Sequence, residues 1–265
     1  MSTAAIVLVL SSALLHAGWN ARTHAGDDRR ATLTVAYLTV TVVFSPWLIA
    51  DPPSEVLGFM LLSALAQSGY IWSLSGAYDR GALAVTYPVA RGSAPLVVAV
   101  LGIWFLDQTP SVLTLGGAIT VAVGLALIGG VAIGIGERSA LLMALTTGLF
   151  IAGYTLLDAK GANQTSGLGF IAGSAPIAAT LTMASGRVGP ARLKAAARQG
   201  VTVGMMVASA YGLVLVAYTR ADAANVATLR ATSIIFGVAL VRQTLTRPLV
   251  AGAGLVVAGS IMVAW

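Results

Sequence analysis

Ser11-Ser12-Ala13-Leu14-Leu15-His16-Ala17-Gly18-Trp19-Asn20 returns 135 residues later as Thr146-Thr147-Gly148-Leu149-Phe150-Ile151-Ala152-Gly153-Tyr154-Thr155. The match is one of side-chain size and polarity more than identity. Further pairs keep nearly the same offset. Ala77-Tyr78-Asp79-Arg80 answers Ala217-Tyr218-Thr219-Arg220, and Val89-Ala90-Arg91-Gly92-Ser93 answers Thr228-Leu229-Arg230-Ala231-Thr232. Gln108-Thr109 answers Gln243-Thr244, and Gly117 and Gly124 answer Gly252 and Gly259. The chain reads as two copies, 1–135 and 136–265, of one architectural unit within a single integral membrane domain.

The solvent for that unit is lipid. Apolar residues make up 57% of the 265, glycine supplies 30 more, and charged residues only 9%. Soluble domains carry about 25% charge, so too few polar side chains remain here to cover a water-facing surface. Mean hydropathy is +0.89. The balance excludes a soluble enzyme and a nucleic-acid module. The net charge of +6 comes without a basic, aromatic-interleaved run, and excess Lys/Arg is what holds membrane loops on the cytoplasmic side. Cysteine is absent and histidine occurs twice, so no disulfide framework, metal cluster or cofactor is expected.

Spanning a bilayer takes about 20 mostly apolar residues. Ten stretches qualify: Thr3–Ala21, Ala31–Ala50, Val56–Tyr78, Gly81–Leu106, Ser111–Ile135, Ser139–Leu157, Gly167–Ser185, Val201–Thr219, Ala223–Val241 and Leu249–Trp265. The first lacks the basic start of a cleaved leader. No stretch is left for a soluble domain, and the longest loop, around 186–200, has about fifteen residues. Five spans per copy is an odd number, so the second copy must sit upside down. Loop charge gives the same reading. Arg22, Arg29, Arg30, Arg80, Arg138, Arg187, Arg192, Lys194, Arg198, Arg242 and Arg247 fall in one set of alternate loops, and only Lys160 and Arg220 in the other. By the positive-inside rule both termini face outward. The expected fold is all-α, with ten transmembrane helices in two inverted five-helix repeats around a central cavity.

The His16-Ala17-Gly18-Trp19-Asn20 end of the first span, the run from Ala77-Tyr78 to Tyr87-Pro88-Val89-Ala90-Arg91-Gly92-Ser93-Ala94-Pro95, the turn Leu106-Asp107-Gln108-Thr109-Pro110-Ser111 and the glycine-rich fifth span together resemble the EamA-type transporters of the drug/metabolite transporter superfamily. The resemblance covers nearly the whole chain. It implies inverted five-helix halves, a substrate cavity with alternating access, and a peripheral pairing of spans five and ten. Two features depart from the family pattern: Asp107 stands where Glu is usual, and the basic loop follows the first span instead of the second.

Arg91 is the sharpest candidate. It lies about ten residues into the fourth span, ~15 Å deep, where insertion of Arg costs roughly 2.5–3.5 kcal/mol. It therefore needs a wet cavity or a partner. Pro88, one turn earlier, is expected to kink that helix. Arg230 is its counterpart, nearer a helix end. The nine carboxylates, Asp158 among them, fall in loops or at helix ends, so the arginines lack an acidic companion and suit an anionic substrate group. Trp19, Tyr70, Trp72, Tyr87, Tyr154 and Tyr211 are candidate cavity walls, against ordinary packing; Trp47, Trp104 and Trp265 read as interfacial. Asn20 and the polar Gln67, Ser93, Thr155, Thr228, Thr232 and Ser233 either touch substrate or join helices. His16 and Asp158 are the proton-relay candidates.

The reading that follows is a multi-pass protein of the cytoplasmic membrane, a monomer, exporting a small anionic or zwitterionic metabolite such as an amino acid. The alternative is a transporter of cationic or neutral drugs such as quaternary amines. A membrane-embedded lipid-modifying enzyme is disfavoured for want of an acid pair or a nucleophile–base set, and a receptor or scaffold for want of a soluble domain. The partners expected are the small-molecule substrate and the bilayer, not nucleic acid.

Overall fold

A computed structural model of the protein describes residues 1–52, 54–81, 83–133, 138–165, 167–186, 188–240 and 247–264. Every regular element among them is helical. The order is α1 (Thr3–His24), α2 (Arg29–Phe44), α3 (Trp47–Ala50), a 3-10 turn (Ser54–Val56), α4 (Leu57–Arg80), α5 (Leu83–Phe105), α6 (Val112–Ile133), α7 (Arg138–Ala162), α8 (Leu168–Gly186), α9 (Pro190–Tyr218), α10 (Ala223–Arg230), α11 (Ser233–Leu240) and α12 (Arg247–Ala264). Five of these segments are long and apolar enough to cross a membrane: Thr3–His24, Ser54–Arg80, Arg138–Ala162, Leu168–Ser185 and Pro190–Tyr218. Val89–Phe105, Val112–Leu127 and Val250–Ala264 are shorter apolar helices. Arg187, Arg242, Gln243, Thr244 and Trp265 lie outside the described residues.

Three stretches depart from the spans expected of the sequence. The second span stops at Phe44, because Pro46 cannot donate to the helix, and resumes only as the single turn α3. Residues 186–200 are mostly helix rather than loop, since Pro190 at the first position opens α9, where its missing N–H costs nothing. The ninth span is broken at Ala231-Thr232 into α10 and α11, while its counterpart α5 runs unbroken through Pro88.

Side chains close the helix ends. Ser2 caps α1 by accepting from the Ala5 N–H, and Asp28 caps α2 by accepting from that of Ala31. After α5, Asp107 takes a left-handed φ of 54°, a conformation Asp tolerates better than most residues. That turn presents Gln108, whose Oε1 accepts from the Ala223 N–H at the start of α10 (3.2 Å).

The connections gather into two groups. Arg29 pairs with Asp79 at 2.7 Å, Arg192 holds Asp28 through two bonds of 2.7 and 2.9 Å, and Gln199 donates to the Arg22 carbonyl. These join the α1–α2, α4–α5 and α8–α9 connections. Elsewhere Gln108 joins α5–α6 to α9–α10, Lys160 approaches Asp107 at 3.9 Å, and Asp51 packs against Gly169. The Met1 ammonium donates to the Ala264 carbonyl at 3.1 Å, so the two chain ends meet.

α12 packs chiefly on α6, glycine to glycine. A Cβ on Gly117 would lie 2.6 Å from the Gly259 carbonyl oxygen, and one on Gly124 2.6 Å from that of Gly252. The early glycine of each helix faces the late glycine of the other, so the two helices run antiparallel. The main core is built elsewhere, from α1, α2, α4, α7, α8, α9 and α10 around Trp19, Tyr70, Tyr154 and Tyr218, with Ala94 and Val98 of α5 packed against them.

Candidate functional site

Those seven helices also enclose a cavity. Its wall consists of His16 and Trp19 (α1), Tyr37 and Val40 (α2), Gln67 and Tyr70 (α4), Tyr154 (α7), Ile171 and Ala175 (α8), Val207, Ala210 and Tyr211 (α9) and Arg230 (α10). The empty space amounts to about 470 Å³, counting its open part. The spacing follows from helix geometry. Each helix that contributes more than one residue does so at i, i+3 or i+4, the interval that puts side chains on one face.

The wall is aromatic with one permanent charge. Tyr70 and Tyr154 meet edge to face at 5.6 Å between centroids, Tyr154 and Tyr211 at 6.4 Å, and His16 and Trp19 at 4.7 Å. The Arg230 guanidinium carbon lies 6.0 Å from the Tyr211 ring centre, within cation–π range. Its Nη2 approaches His16 Nδ1 at 3.5 Å, whereas its Nε is buried with no partner. The Tyr211 hydroxyl is likewise buried and unbonded. Unsatisfied buried donors are costly, and both belong to side chains of the cavity wall.

The break between α10 and α11 puts Arg230 in position. Ala231 and Thr232 turn back with tight bonds to the Thr228 and Leu229 carbonyls, and the Thr232 hydroxyl donates to Leu229 at 2.7 Å. The turn leaves the Arg230 carbonyl to Arg91, whose Nη2 donates to it at 3.4 Å. Arg91 is therefore buried behind the wall, and its Nε too has no partner. Among the described residues neither guanidinium forms an ion pair.

The other candidates take several places. Trp19, Tyr70, Tyr154, Tyr211 and His16 line the cavity. Tyr87 stands behind it, donating to Ser233 at 3.0 Å and stacking 6.3 Å from His16. Both ends of the Asn20 amide are occupied: it donates to the His16 carbonyl and accepts from Tyr78 at 2.7 Å. Trp72 is 43% exposed and borders a charged cleft with Arg29, Asp79, Arg80 and Arg192. Thr228 and Thr232 bond to their own helix, and Ser93 does the same. Asp158, expected near water, is fully buried, and Ser63 donates to its Oδ1 at 2.5 Å. Trp104 is 72% exposed.

Tyr37 was not among the sequence candidates. It is the one aromatic on the cavity face of α2, and nothing in its own stretch marks that face. Among the described residues no three His, Cys, Asp or Glu side chains are grouped to hold a metal ion.

No family model matches the sequence, and no curated protein matches it. Solved structures do. One, described only as a crystal structure of a protein, aligns with a TM-score of 0.77 over 99% of this chain and 98% of the other. Sequence identity between the two is 16%. At that identity the likeness is one of fold.

Proposed function

We propose that the chain is a ten-span secondary transporter of the EamA type, carrying a small anionic or zwitterionic metabolite by alternating access across the cytoplasmic membrane. The observation that carries this reading is Arg230. It is a cavity-lining guanidinium at the end of a broken helix, with no ion-pair partner among the described residues and an unsatisfied N–H, walled by four tyrosines and Trp19. Discontinuous helices that end on a cavity frame the binding sites of many transporters. A guanidinium offers a carboxylate or phosphate two parallel bonds. The same positive charge disfavours a quaternary amine.

The inverted arrangement has its own support. Exchanging the two copies maps the Gly117–Gly259 contact onto the Gly252–Gly124 contact, and maps Arg91 onto the Arg230 it touches. α4 packs on α7 and α8, as α9 packs on α1 and α2. Both relations are what a twofold axis in the membrane plane produces. Alternate connections meeting in two separate groups, with the chain ends together, fit ten crossings.

The test of function is counterflow in proteoliposomes with amino acids, carboxylates, phosphonates and quaternary amines. Exchange of an anionic or zwitterionic member is expected; no exchange with any member refutes the reading. Topology has a clean test because the chain has no cysteine. A cysteine placed at Thr3 is expected to react with an impermeant reagent from outside, and one at Pro190 to be shielded. The reverse pattern inverts the orientation.

A further inference from the structure

Asp158 is the one fully buried carboxyl among the described residues, and it is not part of the cavity wall itself. It lies one turn beyond the cavity-lining Tyr154 on α7. Its Oδ1 accepts from Ser63 Oγ, and Ser63 Oγ accepts in turn from Gln67 Nε2 at 2.9 Å. Gln67 is part of the cavity wall. A chain of hydrogen bonds thus links the cavity to this carboxyl. Its other oxygen, Oδ2, is buried and has no partner.

The surroundings show what that oxygen lacks. α4 presents only the neutral Ser63 and Gln67. α8 has no titratable side chain along its length. α5 carries Tyr87 and Arg91, but it packs with Gly102 against Leu156 and with Ser93 against Gly148, which places those two groups several turns away. Among the described residues the ionisable groups within electrostatic reach are Tyr154 on α7 itself, Tyr37 of α2, Tyr218 of α9 and Arg230 of α10. Only Arg230 is cationic, and it is not paired with Asp158. An ionised carboxylate in this setting would be an uncompensated buried charge, whereas a proton on Oδ2 removes the charge.

We propose that Asp158 is a proton-binding carboxyl that couples substrate and proton movement in the same direction. The proposal rests on the transport reading. Ionised Asp158 and an anionic substrate group compete for the one cation that both can reach, Arg230. A proton bound at Oδ2 leaves Arg230 to the substrate, so proton and substrate load together. The O–H bond forms with a proton taken from water on the side to which the cavity is open. It breaks on the other side, where water accepts the proton, and no electrons change hands. His16 does not fill this role, because its Nδ1 already faces the Arg230 guanidinium as an acceptor.

Two measurements test it. Infrared difference spectra of the protein in nanodiscs, recorded across pH without substrate, use the proton itself as the probe. A protonated-carboxyl band is expected in wild type, absent from Asp158→Asn and displaced in Ser63→Ala, which removes the hydrogen bond and keeps the acid. Identical spectra for wild type and Asp158→Asn, or a band unmoved in Ser63→Ala, overturn the assignment. The second measurement uses proteoliposomes with the membrane potential clamped at zero and, as probe, whichever of the four compound classes shows counterflow. Wild type is expected to accumulate it about tenfold per pH unit on the alkaline side. Asp158→Asn should keep counterflow while its accumulation ratio falls to about one. Accumulation on the acidic side, or unchanged accumulation in Asp158→Asn, overturns the coupling. A wild type without any counterflow removes the transport reading and the coupling with it, while the infrared result still decides whether Asp158 binds a proton.

Discussion

Arg91 and Arg230 occupy matching points of the two sequence copies, yet their helices treat them differently. α5 passes through Arg91 without interruption and keeps it behind the cavity wall. The equivalent span stops at Arg230, turns through Ala231 and Thr232, and exposes both the Arg230 carbonyl and its side chain. One arginine thus holds the backbone that positions the other. Matching positions in the sequence leave open which arginine faces the cavity, and a local break in the backbone decides it. The α6–α12 seam shows the opposite behaviour, since there the two copies contribute equivalent contacts.

The seam supplies the largest expected effect. Gly124 and Gly259 each face a carbonyl oxygen of the partner helix, so even an added Cβ meets backbone, at 2.6 and 2.5 Å respectively. Overpacking costs about 1–3 kcal/mol, sometimes more. Gly124→Leu and Gly259→Leu should lower the melting temperature by similar amounts, and the alanine variants should also destabilise. Gly254→Ala is the control, because nothing lies within 4 Å of its added Cβ. Melting of the seam variants at the control's temperature would break the symmetry of the seam.

Next comes the cavity arginine. Removing a charge-assisted bond costs roughly 1.5–3 kcal/mol, about 10- to 150-fold in affinity. Arg230→Lys should recover only part of that, for an ammonium cannot make the planar fork. Arg91→Gln should have a smaller effect, because its bond to the Arg230 carbonyl is neutral at one end and long. A loss of under tenfold in affinity is expected, together with a lower melting temperature. Equal affinity losses at the two positions would erase the distinction between binding and positioning residue.

The smallest effect lies far from both arginines and serves as their control. Hydrogen bonding to Arg192 holds the Asp28 carboxyl below the usual carboxylate range. A lowered carboxyl contributes stability above its unfolded value, about 3.9, and loses it as the pH falls through its folded value. Asp28→Asn keeps a capping side chain for α2 and removes only the ion pair, worth up to about 1 kcal/mol at a partly exposed site. Its small melting deficit at pH 7 should fade as the pH falls through that lowered folded value, with substrate affinity unchanged. A deficit that persists in acid would assign the loss to the cap.

Particular residues mark how far the sequence could be read. Apolar length and the lack of charge point to membrane helices because lipid tolerates little else, and the pairing of spans five and ten implied by the family resemblance is met in the α6–α12 contact. The break at Ala231-Thr232 gave no signal, since Leu229-Arg230-Ala231-Thr232-Ser233 contains no proline or glycine. The break depends on contacts from the other copy, Gln108 at the start of α10 and Arg91 at its end. Pro88, the local helix breaker, lies in an uninterrupted helix. Asp158 read as wet because it stands near the end of its span, but its cover is Ser63, 95 residues away. Tyr70 and Trp72 stand two positions apart on α4, one 5% exposed and lining the cavity, the other 43% exposed. With aromatics on both faces, only the packing of neighbouring helices tells which face is the wall.

The most direct test of the central claim is the affinity of wild type and Arg230→Gln for whichever anionic or zwitterionic compound shows counterflow, each protein held below its own melting temperature. A ten- to 150-fold weaker affinity in Arg230→Gln is the expected result. An unchanged affinity, or a wild type that prefers quaternary amines to anions, would contradict the account.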